Sequence, residues 1–189
     1  MRLASSEYLV DMIWGKLVEA TPKFGARRFN DSDRIFTEGV FQVFKSLGEN
    51  LSYTVRPKKP KKGEFLRIDQ VWMEGETVVL AMESENSPTQ LPDPIDDEWR
   101  KLVNVKANMK VLVTYCSEAE KRQKWVERAG KTVVENEHKL SETYFLILGA
   151  SPTFRMNDPY IQYFGWVFDS EGKIKEFKNS VKIDLRGGS

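Results

Sequence analysis

Residues 66–72, LRIDQVW, and residues 77–85, TVVLAMESE, decide how this chain is read. Both are apolar enough for strands, yet they carry Asp69, Glu83 and Glu85, where a buried sheet favours no charge. Side chains alternate along a strand, so Glu83 and Glu85 share one face at the end of their segment. The turn-like MEGE (73–76) lets the two segments pair, which carries Asp69 toward the glutamates. Three carboxylates converging at a sheet end repel one another and raise at least one pKa. A divalent cation resolves that conflict, and oxygen donors favour Mg²⁺ or Mn²⁺. Zinc has little to draw on, because the one histidine, His138, and the one cysteine, Cys116, lie far apart.

Working outward from this pair, the pattern before it is helical. In residues 5–20, Leu9, Val10, Ile13, Trp14 and Leu17 recur at helical spacing, with Ser5 or Ser6 as the cap. TPKFGARRFN (21–30) reads as a turn and loop. A second helix starts near DSDR (31–34), carries Phe36, Val40, Val43, Phe44 and Leu47 on one face, and stops at LGEN (47–50), where Gly48 suits a C-terminal cap. LSYTVRP (51–57) is a short strand ended by Pro57.

Beyond it, IDDEWRKLVNVKAN (95–108) is a helix and MKVLVTY (109–115) a strand buried on both faces. Residues 117–140 form one long helix, or two broken at Gly130. TYFLILGA (143–150) is another buried strand, and YIQYFGWVFD with KIKEFKN makes a closing hairpin around SEGK (170–173). Short links make the first three strands an antiparallel meander, and the helix before the fourth lets it lie parallel to a neighbour. The expected class is α/β, a central mixed sheet flanked by helices. No glycine-rich turn follows the first strand, which argues against dinucleotide binding.

The totals narrow the function classes. At 189 residues the chain is long enough for one domain with a proper core. Basic and acidic residues number 29 and 28, so any nucleic-acid footprint must be local. A single cysteine excludes a disulfide framework. The first twenty residues are interrupted by Glu7, Asp11 and Lys16, which suits neither a secretory signal nor a membrane span. A soluble, cytoplasmic protein with no membrane partner is the expectation.

With Asp69 in the second strand, ESE (83–85) in the third, and the order helix, three strands, helix, strand, the chain resembles the PD-(D/E)XK nuclease superfamily. The likeness covers residues 31–115 as a nuclease-like core. Residues 1–30 then form an N-terminal helix and loop, and residues 116–189 a C-terminal helix and strands. The resemblance implies a restriction-endonuclease-like fold and Mg²⁺-dependent phosphodiester hydrolysis, with DNA ahead of RNA as substrate. It assigns metal binding to Asp69 and Glu83, with the backbone carbonyl of Ser84 as a further ligand.

Glu85 stands where the superfamily usually has lysine. It would orient or deprotonate the attacking water, or help hold a second metal. In other members the lysine has moved to the following helix, which implies Lys101 in DEWRKL as the group that neutralises transition-state charge, with Lys106 as its competitor. ESE in place of E-x-K also supports a second reading: the same fold without catalysis, acting as a nucleic-acid-binding or protein-interaction subunit. A third is an unrelated α/β fold whose carboxylates hold a structural cation. Many nucleases of this kind pair to cut both strands, which leaves room for a homodimer.

The local basic footprint is RPKKPKKGEFLR (56–67), with Arg56, Lys58, Lys59, Lys61, Lys62 and Arg67. Between the first two strands it would grip phosphates beside the acidic site; the plainer reading is a solvated loop. GARRFN (25–30) is a weaker candidate for the same work. The aromatic run YIQYFGWVF (160–168) reads as core or interface ahead of a base-stacking surface. His138 reads as a surface residue and Cys116 as a buried, inert thiol.

Overall fold

Among the described residues, seven strands lie side by side in the order in which the chain makes them, β1 to β7. The computed structural model describes residues 4–27, 33–57, 68–85, 93–135, 142–150 and 160–185. Two helices come first, α1 (Ser6–Arg27) and α2 (Asp33–Asn50), followed by β1 (Thr54–Arg56), β2 (Gln70–Glu74) and β3 (Thr77–Glu85). A π-helical turn, Ile95–Trp99, runs into α3 (Arg100–Val103) and leads to β4 (Met109–Tyr115). Then come α4 (Ala119–Glu135), β5 (Thr143–Ala150), β6 (Tyr160–Phe168) and β7 (Ile174–Asp184).

β1–β2–β3 and β5–β6–β7 run antiparallel, with two-residue and five-residue links at β2–β3 and β6–β7. Helical crossovers make β3–β4 and β4–β5 parallel. Among the described residues the architecture is therefore α/β, a mixed sheet flanked by four helices. Two crossovers of the same hand, stepping the same way along the sheet, put α3 and α4 on one face. There Trp99, Leu102, Trp125, Val126, Ala129 and Val133 pack on Ala81, Leu112, Leu146, Leu148 and Phe168. On the other face, Ile13 and Leu17 of α1 and Val40, Phe44 and Leu47 of α2 cover Leu80, Met82, Val111, Val113, Phe145 and Ile147. Each side chain buried this fully contributes about 1.5–3 kcal/mol.

Two expectations need correction. Residues 21–27 do not leave the helix: α1 continues to Arg27 with Pro22 inside it. The physical reason lies in Thr21, which is fully buried. Its hydroxyl donates to the Leu17 carbonyl at 2.6 Å and lies 3.5 Å from the Tyr163 hydroxyl, anchoring the turn that proline would otherwise loosen. Nor is Gly48 a C-terminal cap. It lies within α2, where a Cβ would come within 2.7 Å of Trp72 Nε1 and 2.8 Å of Val55 Cγ2. The residue with left-handed backbone is Ser52, at φ 66°.

α4 runs unbroken through Gly130. A Cβ there would meet the Gly172 carbonyl at 2.7 Å, so a bare backbone lets the helix pack against the β6–β7 turn. At the start of the chain, Ser5 Oγ accepts from the Tyr8 N–H at 3.3 Å, a cap for α1. Among the described residues, no helix is long and apolar enough to cross a membrane.

Candidate active site

The β2–β3 register decides which acidic groups meet. Gln70 pairs with Met82, so the residue before it, Asp69, stands beside Glu83. Regular pairing of β2 begins only at Gln70, and Asp69 sits in the bend just ahead of it. Its Oδ2 accepts from the Ser84 N–H at 2.9 Å, standing in for a ladder carbonyl and holding the carboxylate against β3. A residue's N–H and C=O leave an extended strand on the same side, so the Ser84 carbonyl also faces Asp69.

Glu83 projects onto the face covered by α3, where its side chain is 3% exposed. Lys101 reaches it from that helix: Nζ is 2.7 Å from Glu83 Oε1 and 2.6 Å from Glu98 Oε2. Neither contact has the direction of a good hydrogen bond; each is a close approach of the ammonium to a carboxyl oxygen. Burial first, and then the charge on Asp69, push the Glu83 carboxyl up to about 10, against the pull of Lys101. For Lys101, burial alone would lower the ammonium pKa, but its contacts with Glu83 and Glu98 prevail and raise it.

The helix that presents Lys101 is clamped from outside the site. Asp93 opens it, accepting from the Ile95 N–H at 3.0 Å. The same carboxylate accepts from Trp125 Nε1 at 2.7 Å and Arg128 Nη1 at 3.1 Å, both on α4. Arg128 also pairs with Asp96. Trp99, fully buried, donates its indole N–H to the Ala129 carbonyl at 3.1 Å.

Glu85 is half-buried at the end of β3, two residues beyond Glu83 and on its face. Two residues advance a strand by about 7 Å. Among the described residues, no three carboxylate, imidazole or thiol groups stand close enough together to hold a metal ion. The expected convergence of Asp69, Glu83 and Glu85 is therefore a pair, with Glu85 further along the strand.

That pair still fits a hard cation. Mg²⁺ commonly takes one or two protein carboxylates and fills its remaining positions with water and phosphate oxygens. Asp69, Glu83 and the Ser84 carbonyl supply oxygen only, and burial, with the Asp69 charge second, makes an anionic Glu83 costly unless a cation stands beside it.

The other candidates separate clearly. Lys106 is exposed and lies past the end of α3, so Lys101 is the lysine at the carboxylates. Arg56 ends β1, exposed, in register with Val71 and hence on the Glu83 face. Lys58, Lys59, Lys61, Lys62 and Arg67 lie outside the described residues, as do Arg28 to Asn30 and His138. Cys116 is a buried free thiol whose pKa burial raises. The group that sequence reasoning did not place in the site is Glu98, and its signal was visible: it stands three residues before Lys101 on one helix face.

No protein-family model matches this chain, and no curated protein sequence matches it.

Proposed function

We propose that this chain is a metal-dependent nuclease of restriction-endonuclease-like fold, hydrolysing phosphodiester bonds, with DNA ahead of RNA as substrate. The observation that carries the reading is the meeting of Asp69, Glu83 and Lys101, from the bend before β2, from β3 and from α3. The order of elements from α2 to β4 supports it, being helix, three strands, helix, strand.

Asp69 and Glu83 would hold Mg²⁺ or Mn²⁺, with the Ser84 carbonyl beside them. Bound there, the ion would polarise the phosphate and acidify a coordinated water. Lys101 supplies positive charge where the phosphate gains negative charge, and Glu98 holds its ammonium on the carboxylate side of α3. Glu85, half-buried and further along β3, has the position and chemistry to orient a water. Arg56, exposed on the same face, is placed to meet a phosphate of the bound strand.

The test is incubation of the purified protein with plasmid, linear duplex and single-stranded DNA in Mg²⁺ or Mn²⁺, beside Asp69→Ala and Glu83→Ala. Cutting that both variants lose supports the nuclease; cutting that survives both removes the site.

One observation favours the alternative of a catalytically inactive nucleic-acid-binding or protein-interaction subunit. The lysine already lies between two carboxylates, so the protein supplies its own cation. Calorimetry that finds no Mg²⁺ or Mn²⁺ binding, with no cutting, would favour that reading.

A further inference from the structure

The aromatic run of β6 divides by alternation. Ile161, Tyr163, Gly165 and Val167 point into the core, while Tyr160, Gln162, Phe164 and Trp166 are only half-buried on the opposite face. That face also carries Glu83 and the core beneath α3 and α4, against which Trp166 packs: the pairs Glu83–Leu112, Leu112–Leu146 and Leu146–Trp166 form a single row across the sheet. Glu85 is joined to Phe164 in the same way through Thr114 and Leu148. Three strand spacings, about 14 Å, separate the acidic end of each row from its aromatic end.

The outer rings form a nearly continuous surface. Phe164 and Trp166 lie 6.0 Å apart with planes at 17°, and Phe177 of β7 adjoins Trp166 at 5.4 Å. Phe177 is 46% exposed. Cations accompany the rings. Lys182 Nζ sits 3.6 Å over the Tyr160 ring, and the Arg122 guanidinium 4.6 Å over Phe164. Arg122 is tied by Nη1 to the carbonyls of Cys116 and Ser117, at the end of β4. Asp184, in register with Tyr160, brings an acidic group to the same end of β7.

We propose that this β6–β7 face is a stacking platform for single-stranded nucleic acid, with Tyr160, Trp166 and Phe177 meeting unpaired bases and Lys182 and Arg122 supplying positive charge for the backbone. It names the substrate form for the nuclease reading, and so rests on that reading for what becomes of the strand. Rings beside cations match the two halves of an unpaired strand, flat bases and a charged backbone; a duplex keeps its base faces hidden. A second copy of the chain fits less well, because Lys175, Lys178 and Lys182 recur along β7, and lysines on an edge strand oppose strand-to-strand pairing.

The test uses the full chain in EDTA, so that nothing is cut. Fluorescence anisotropy follows binding of labelled oligo-dT, oligo-rU and a duplex of the same length. Both single strands are expected to bind more tightly than the duplex. Phe177→Ala should weaken them about five- to hundredfold, the range for losing one stacked base, while Phe177→Tyr keeps the affinity. Lys182→Ala should flatten the salt dependence. Equal affinity for duplex, or no response to Phe177→Ala in a variant with unchanged circular dichroism, overturns the proposal. So does a dimer in sedimentation that Phe177→Ala dissolves while no oligonucleotide binds.

The two readings fail separately. Strand binding that Phe177→Ala weakens, with no cutting in Mg²⁺, sustains the platform and removes the nuclease. Cutting that Asp69→Ala abolishes, with affinity indifferent to Phe177→Ala, does the reverse.

Discussion

Lys101 on α3 stands 2.7 Å from Glu83 on β3, so a crossover helix and a sheet strand meet at a close ammonium–carboxyl contact. If this contact supplies transition-state charge, Lys101→Met should lower the cleavage rate about hundredfold or more, the usual effect of removing one such group. Metal affinity should not weaken, because neither ligand is touched. Single-turnover cleavage and Mg²⁺ or Mn²⁺ calorimetry on the same variant check both halves.

Glu83 gives a pH dependence with a definite sign. Its folded pKa is about 10, above the unfolded value of 4.5, so between those values the folded state holds the extra proton. Stability from this group is fully present below the unfolded value and is lost as pH rises toward the folded one. Urea denaturation of metal-free protein from pH 5 upward should show that decline, and Glu83→Gln should flatten it. Metal binding should follow the opposite course, tightening as pH rises, because the ligand must give up its proton.

Gly130 and Gly15 make a controlled pair. Alanine at 130 would drive a methyl into the Gly172 carbonyl at 2.7 Å, backbone against backbone. The expected loss is about 1–3 kcal/mol. Gly15, exposed within α1, has nothing within 4 Å of the same added carbon. Gly15→Ala should stabilise by about 0.5–1 kcal/mol. Thermal denaturation of the two variants reads both signs.

A buried ion pair at the start of β4 should behave differently from the Lys101–Glu83 contact. Lys110 is fully buried, pairs with Glu142, and donates to the Ala107 carbonyl at 3.2 Å. Tyr144 donates to the same glutamate at 2.6 Å. Desolvation lowers the Lys110 pKa. Lys110→Met strands a buried carboxylate and should cost about 3–5 kcal/mol. Adding Glu142→Gln should recover part of it, a coupling that a double-mutant cycle measures.

The site was half legible in the sequence, and the reason is locality. Asp69 and Glu83 are joined by a tight hairpin turning at Gly75–Glu76, so their nearness was legible, but their pairing depends on a bulge between Trp72 and Met73, without which Asp69 would face Met82. Lys101 follows from the crossover that must return to the sheet. Convergence of Glu85 asked for a distance along the strand, which alternation does not supply. The clamp at Asp93 was hidden for a similar reason: its partner Trp125 is 32 residues away, on another helix. The fold was legible where apolar runs were long, as in β4 and β5. It was not at Pro22, where the deciding contact is with Tyr163 on β6.

Strand order that copies chain order has a consequence for synthesis. Each new strand docks on the one made just before it, so the sheet can grow sideways as the polypeptide leaves the ribosome. Asp69, Glu83 and Lys101 all emerge before β4 is complete, whereas Trp125 and Arg128, which hold their helix down, come later. A nascent chain therefore carries every proposed ligand some time before it carries the brace, and competence to cut would arrive only once α4 has settled.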